Sequence, residues 1–342
     1  MLNQPSFIEL APMEGIVDHT LRELFAAIGG IDRCTTEFVR VSRTRLPEKV
    51  FKRFCPELNN ASQTLSGVDV HIQLLGDDPA LMAANAVKAA TLGAKGISLN
   101  YGCPAKCVNN RGGGSVLLKD PNNLYIITKA VREAVPAHIP VTAKIRLGYE
   151  DKSLAMENAM AIEDAGGNEI AIHGRTKVEG YKPPAYWDAI GRINQQLTIP
   201  VVANGEMWNL QDIHRCINES GTDKIMLGRG LVACPDLALL AKGKATESIN
   251  WGSICLLLFY YKQQLEPVCP EKYLNSLIKQ WLAYLRQQYA EAHIFFAQAK
   301  RLRESEKMEA AIIEALLLQH KKKPINPLIG QLDLSVLLQT VT

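Results

Sequence analysis

Eight short apolar segments, separated by helical patterns, fill about the first 240 residues of this chain and leave few ways to fold it. They lie near 7–13, 34–41, 68–76, 94–100, 140–147, 169–174, 199–204 and 223–228. Most are rich in Val, Ile or Leu, as strands of a parallel sheet buried on both faces are. Helical patterns follow near 19–27, 79–92, 121–135, 152–166, 186–196, 209–219 and 235–242, with Gly or Pro at the joins. The least regular interval is 46–66, a short helical run and a polar loop. Strands alternating with helices in this number and length match the α/β class and the (β/α)8 TIM barrel. A doubly wound open sheet is the competing fold. It would want a G-x-G-x-x-G turn after the first strand, where the chain has Pro12-Met13-Glu14-Gly15.

Beyond residue 245 the strand pattern stops, and Trp251 to Leu318 is helical in period with breaks at Pro267 and Pro270. The expected organisation is a barrel domain over 1–245, a C-terminal helical-bundle domain over 246–320 and an extension of no assigned role over 321–342. With 342 residues, 47% hydrophobic and 21% charged, the chain has the composition of a soluble globular protein with a sizeable core. A net charge of +3 means that any nucleic-acid surface is a local patch, not a global field. Met1 to Leu10 has no charged stretch followed by an apolar run, so no secretory leader is expected, and the most apolar window, Gly252 to Tyr261, is too short to span a bilayer. The eight cysteines are scattered and form no C-x-x-C pair. Reduced thiols in the cytoplasm, no membrane and no metal are therefore expected.

Chemistry in a barrel of this kind sits where strands end. The strand ends here carry Pro12-Met13, Gln73, Asn100 with Cys103, Lys144 with Arg146, His173-Gly174-Arg175-Thr176, Asn204-Gly205-Glu206 and Gly228-Arg229-Gly230. Taken alone, Cys103 is ordinarily a small buried residue and His173 a satisfied core histidine. Lys144 is sharper, because a lysine inside a parallel strand wants an anion or a polarised carbonyl. Glycine turns after the last two strands, Asn204-Gly205 and Gly228-Arg229, are where barrels bind phosphate through backbone N–H groups. The glycine run Gly112-Gly113-Gly114 behind Cys103 is read as a loop needing positive φ and close backbone approach. Together these residues suit a flat, phosphate-bearing cofactor such as FMN, with Lys144 near its electron-rich ring end and one thiol able to donate a proton.

In the helical region Lys272, Lys279, Arg286, His293 and Lys300 recur every seven residues, with Arg301 and Arg303 adjoining. Six Lys/Arg stand against one acid, Glu291, between 272 and 303. A solvated charged face explains such a stripe in most proteins. The imbalance and the nearby Tyr273, Trp281, Tyr284 and Tyr289 favour phosphate contacts, made by Lys279, Arg286, Lys300 and Arg301 among others. A stripe divided between two helices weakens the geometric part of that reading, and Trp281 and Tyr284 also suit a core.

The motifs Leu10-Ala11-Pro12-Met13-Glu14-Gly15, Gln73-Leu74-Leu75-Gly76, Asn100-Tyr101-Gly102-Cys103-Pro104, Lys144-Ile145-Arg146, His173-Gly174-Arg175-Thr176, Asn204-Gly205-Glu206 and Gly228-Arg229-Gly230 follow one another in order. As a set they resemble the tRNA-dihydrouridine synthases. Thr36-Glu37-Phe38-Val39-Arg40-Val41 and Ile278-Lys279-Gln280-Trp281-Leu282 resemble the branch of that family acting at uridine 16. The resemblance implies an FMN enzyme, reduced by NADPH (NADH being the alternative reductant), that reduces the 5,6 double bond of a D-loop uridine in tRNA. It implies hydride transfer from flavin N5 to C6 and protonation of C5 by Cys103. It implies FMN held by Pro12, Met13, Gln73, Lys144, His173, Asn204, Gly205, Glu206, Gly228 and Arg229. Asn100 and Arg146 would contact the uracil and Arg40 would help orient the tRNA. The chain is expected to act as a monomer. Two other readings remain open from the residues alone: an FMN-dependent ene-reductase or dihydroorotate-type dehydrogenase of a free small molecule, and a non-catalytic RNA-binding barrel.

Overall fold

Nine parallel strands assemble in the computed structural model, which describes residues 4–320. They are β1 (Phe7–Leu10), β2 (Arg33–Thr35), β3 (Val39–Arg40), β4 (Asp69–Leu75), β5 (Ile97–Asn100), β6 (Val141–Arg146), β7 (Glu169–His173), β8 (Val201–Asn204) and β9 (Lys224–Leu227). The ladder runs β2-β1-β9-β8-β7-β6-β5-β4-β3, and a further pairing of β2 with β4 closes it. Because β2 and β3 both lie along β4, they are two pieces of one stave. The result is an eight-staved TIM barrel, each stave standing close to an expected segment.

The broken stave has a cause in register. Thr35 pairs with His71 and Val39 with Leu74, so the chain takes four steps where β4 takes three. One extra residue is accommodated, as in a bulge. Since side-chain direction alternates along a strand, that residue changes which face each later side chain occupies. Arg40 pairs with Leu75 and so shares the face of Gln73, two positions earlier on β4.

The same alternation sorts the whole wall. Paired rows such as Asn100–Lys144–Ala171–Val202 and Arg146–His173–Asn204–Met226–Glu9–Arg33 share one face. Ala11, Ala171, Val202 and Met226 pack together as an apolar plug. The opposite face carries Ile8, Leu10, Val141, Ile145, Ile170, Ile172, Val201, Ile225 and Leu227, all buried. Helices start where short polar residues cap them: Asp78, Asp120 and Asn209 accept from Leu81, Asn122 and Asp212 amides at 2.8, 3.0 and 2.9 Å. Pro79 and Pro121 occupy the first helical position, where no amide is missed.

Below the plug lies a buried ionic group. Arg33 pairs with Glu9 at 2.7 Å and also with Glu169, and Thr35 donates to Glu9. Burial pushes the Glu9 carboxyl up, but Arg33 and Thr35 outweigh it and hold it below the usual range. Glu169, also buried, is carried above its usual range despite Arg33. Burial and the neighbouring Arg33 lower His71 to about 4.

The described residues form two compact units. One comprises the residues up to His19 and Ile31–Gly228; the other comprises Thr20–Gly30 and the described residues from Arg229 onward. The helix His19–Ile28 thus belongs largely with the second unit, as do the short helices Arg229–Ala233 and Leu237–Ala241, which the sequence reading placed with the barrel. The second unit continues as Trp251–Leu265, Glu271–Leu285, Ala290–Ala299 and Ser305–His320. Its core gathers Phe25, Tyr261 and Trp281, the last donating its indole N–H to the Val232 carbonyl at 3.0 Å. Trp281 is therefore core. No described helix is long and apolar enough to cross a membrane. The expected extension over 321–342 lies outside the described residues.

Unfolded His71 binds its proton near pH 6.5, whereas the folded residue does so only near 4. Between those values the unfolded chain holds the extra proton, so stability falls as pH drops through the window, by about 3 kcal/mol for this group. His71→Gln is expected to remove that part of the acid slope in urea unfolding measured from pH 7 to 4. An unchanged slope would assign it to other groups.

Candidate active site

Asn100, the last residue of β5, turns the chain into the loop that bears the thiol. Its carboxamide oxygen accepts from the Gly102 and Cys103 amides at 3.0 and 2.9 Å, a side chain replacing the lost ladder partner. Its Nδ2 donates to Gln73 Oε1 at 2.7 Å, and Gln73 in turn donates to Ser98 Oγ at 3.3 Å. One side chain thereby couples the ends of β4 and β5 to Cys103.

Cys103 is 9% exposed and packs against Phe38, Leu75, Val108 and Ala105. Burial raises its pKa above the ordinary thiol value; the Ala105 N–H and, more weakly, Arg146 oppose the shift, and Glu14 and Cys107 add to it. The thiol therefore lines an apolar wall and stays protonated at neutral pH. Of the three glycines behind it, Gly112 and Gly114 take positive φ (84° and 69°), while Gly113 is at −99°. The expectation of positive φ holds for two. Close approach is strictest at Gly114, whose added Cβ would meet the Cys103 carbonyl at 2.8 Å; at Gly112 and Gly113 it would press on the Asp77 and Leu75 side chains at 2.4 and 3.2 Å.

Lys144 donates to Asn204 Oδ1 at 3.0 Å, and Asn204 Nδ2 donates to the Met226 carbonyl at 2.7 Å. Burial, reinforced by the charge of Arg146, lowers the Lys144 amine to about 7. Arg146 is buried and heavily engaged. It donates to the carbonyls of Gly102 (2.8 Å), Thr176 (3.2 Å) and Gly180 (2.9 Å) and meets His173 Nδ1 at 3.1 Å. A guanidinium only donates and Nη1 has two hydrogens for three acceptors, so His173 Nδ1 shares one with a carbonyl and the ring's proton is assigned to Nε2. An added Cβ on Gly205 would lie 3.1 Å from that Nε2, and Gly205 has φ of 113°. Gly228 is similarly cramped, its added Cβ lying 3.3 Å from Met13 Sδ. Contacts thus chain Gln73, Asn100, Cys103, Arg146, His173 and Gly205 together, pair Lys144 with Asn204, and set Gly228 against Met13. Pro12 precedes Met13 in the β1 turn, and Arg229 opens the short helix after β9 in the second unit.

Glu206, expected to hold the cofactor, pairs with the fully buried Arg175 and accepts from Trp208 Nε1 at 3.1 Å. Arg175, just past the end of β7, also donates to the Pro184 carbonyl at 3.0 Å, and among the described residues its Nη1 is buried without a partner. Arg40 donates to the Cys107 carbonyl at 3.0 Å, which ties β3 to the thiol loop. Sequence reasoning missed Tyr181, 53% exposed, whose ring lies 5.9 Å from that of His173 and 5.1 Å from the Arg146 guanidinium. It sits in an irregular loop that no periodicity marks. Asn109 and Ser115 were also missed, being buried polar residues inside a segment read only for its glycines.

In the second unit the expected basic stripe is divided between two helices. Lys279 donates to the Leu302 carbonyl at 2.5 Å, and Arg286 lies 4.1 Å from the Phe296 ring centre. Both cations are engaged within the unit, whereas Lys272, Lys300, Arg301 and Arg303 are exposed. Among the described residues no group of three or more His, Cys, Asp or Glu is placed to hold a metal.

A family model described as Dihydrouridine synthase (Dus) matches residues 9–320. The chain belongs to the dihydrouridine synthase family. Within that family, the tRNA-dihydrouridine(16) synthase of Shewanella oneidensis is 48% identical over 306 residues, covering 90% of this chain and 97% of its own. The protein of the same name from Escherichia coli K12 is 46% identical over 304 residues, covering 89% and 96%. The fold of this dihydrouridine synthase is shared more distantly with a 2-naphthoyl-CoA reductase in complex with 2-naphthoyl-CoA. That structure has a TM-score of 0.53 and 13% identity, over 69% of this chain and 50% of the other. TcOYE with pHBA has a TM-score of 0.50 and 11% identity, over 72% and 92%.

Glu206→Ala is expected to destabilise the protein by about 2 kcal/mol in urea unfolding, because it leaves the Arg175 charge buried and unpaired. Glu206→Gln, which keeps an acceptor, is expected to cost less. Equal stability of all three forms would remove the pair from the fold's support.

Proposed function

We propose that this chain reduces the C5–C6 double bond of uridine 16 in the D-loop of tRNA, in the cytoplasm, with FMN reduced by NADPH and with Cys103 as proton donor. The observation that carries this reading is a thiol held protonated by burial, on a loop that Asn100 fixes to Gln73. Names of close relatives support the tRNA substrate and the position.

The residues present fit FMN. Gln73 and Asn204 offer carboxamides, Lys144 a cation, and His173 an N–H on Nε2. Gly205 and Gly228 give side-chain-free turns after β8 and β9, and the orphaned Arg175 Nη1 is a buried donor suited to an anion. Pro12, Met13, Glu206 and Arg229 complete the proposed holding set. When bound, the flavin supplies the hydride for C6.

The chain's own residues do the rest. Cys103 Sγ–H gives its proton to C5; a thiol raised by burial is an acid near neutral pH and not a thiolate nucleophile. Asn100 sets the direction of the Cys103 peptide and stands with Arg146 beside the uracil. Arg146 holds both sides of the mouth through the Gly102 and Gly180 carbonyls. A stacked base could not reach this site, so the uridine is bound everted. Arg40 orients the tRNA through the face on which register places it. Exposed Lys300 and Arg301 contact phosphates; Lys279 and Arg286, already engaged, support the surface.

Cys103→Ala is expected to keep bound flavin and its reduction by NADPH while dihydrouridine formation in tRNA lacking it falls by about a hundredfold or more. Parallel loss of both steps would make Cys103 structural. Free uridine in place of tRNA is expected to reoxidise the flavin poorly; rapid reoxidation would favour a small-molecule reductase. Replacing Lys300 and Arg301 together by Ala is expected to flatten the dependence of log Kd for tRNA on log salt by about two in slope. An unchanged slope would take both residues out of the interface.

A further inference from the structure

Behind the thiol, two buried side chains converge on a single backbone atom. The Cys103 carbonyl receives the Ser115 amide at 3.1 Å and Asn109 Nδ2 at 2.9 Å, which fill its two lone pairs. Asn109 Nδ2 uses its second hydrogen on the Ala105 carbonyl at 2.8 Å. Ser115 Oγ lies 2.9 Å from both the Cys103 carbonyl and Asn109 Oδ1. It has one proton to give, and with the carbonyl already served it goes to Asn109 Oδ1, which fixes the way that carboxamide faces. Both residues are buried. Gly114 closes the arrangement: at φ of 69° its added Cβ would stand 2.8 Å from the Cys103 oxygen and 3.2 Å from the Cys103 Cβ.

We infer that Asn109 and Ser115 are positioning residues for Cys103: a Ser115-to-Asn109 relay grips the carbonyl of the residue whose amide Asn100 grips, so the thiol is aimed from both ends of its own residue. This rests on Cys103 being the proton donor. The structural logic is local. The residue has side-chain hydrogen bonds on its N–H and on its C=O, and the Ala105 N–H meets its sulfur. What they hold is the Cα–Cβ direction, and displacement of a reacting atom by about 1 Å costs rate by orders of magnitude. Loss of either side chain frees the loop from Ala105 to Gly114 and lets water reach the sulfur.

The test uses the flavin-loaded enzyme and three readouts: flavin reduction by NADPH, flavin reoxidation by tRNA lacking dihydrouridine, and the pH profile of alkylation at Cys103 by iodoacetamide, read by mass spectrometry. Ser115→Ala and Asn109→Ala are expected to slow reoxidation about tenfold or more while flavin reduction stays within about twofold. Alkylation of Cys103 is expected to quicken and its profile to move to lower pH, as the sulfur leaves its apolar wall. Ser115→Thr, which keeps the hydroxyl, is expected to restore both. Wild-type alkylation and reoxidation in Ser115→Ala would overturn the inference, as would uniform loss of all three readouts without rescue by Ser115→Thr. Should Asn109→Ala not fold, Ser115→Ala decides alone. If Cys103→Ala reoxidises normally with tRNA, it is the proton-donor assignment that fails, and a changed alkylation profile in Ser115→Ala would still report the grip on the loop.

Discussion

Strand parity is the constraint on which the rest of this structure depends. In a closed parallel sheet, residues two apart share a face, and paired residues on neighbouring strands share it too. Lys144 and Arg146, Gln73, Asn100, His173 and Asn204 stand on one parity, and so do Glu9, Arg33, Thr35 and His71 at the other end of the same staves. Between these two polar levels lies the Ala11–Ala171–Val202–Met226 plug. The opposite parity is almost entirely Ile, Val and Leu. A site and a buried ionic floor are thus built on one set of strands, separated by one apolar layer.

Much of this was legible in the sequence. The strand segments announce themselves by apolar runs, and their polar ends stand out because Lys144 or Asn204 in such a run has no reason to be there for packing. What was less legible depends on contacts far apart in the chain. Glu206 follows the Asn-Gly turn and reads as part of a ligand set, while its pairing with Arg175 from the preceding stave's loop is not visible in the sequence. No spacing rule separates a carboxylate facing a ligand from one facing a buried guanidinium.

The helical unit shows a second kind of limit. Seven-residue spacing of Lys272, Lys279 and Arg286 is correctly read as one helical side, but the turn between Leu285 and Ala290 starts a new axis. With the chain folded back, Lys279 meets the carbonyl of Leu302, beyond the end of the next helix, where unpaired carbonyls attract a cation. Charge content is visible in a sequence; whether a given charge is spent internally is decided by its neighbours after folding. The glycine run behind Cys103 was read for backbone freedom, which Gly113 does not use, while its more general property is the absence of a Cβ beside Asp77, Leu75 and the Cys103 carbonyl.

The extra residue between Thr35 and Val39 shows how economically a barrel can change what it presents. Without it, Arg40 would point to the helix-covered exterior and a neighbouring side chain would take its place at the rim. Insertion of one amino acid into a stave acts as a half-turn of everything downstream, applied without altering any other strand. Substrate-facing chemistry in such a wall can therefore be exchanged by changing length as well as by changing identity, and alignments that place a gap here compare opposite sides of the sheet.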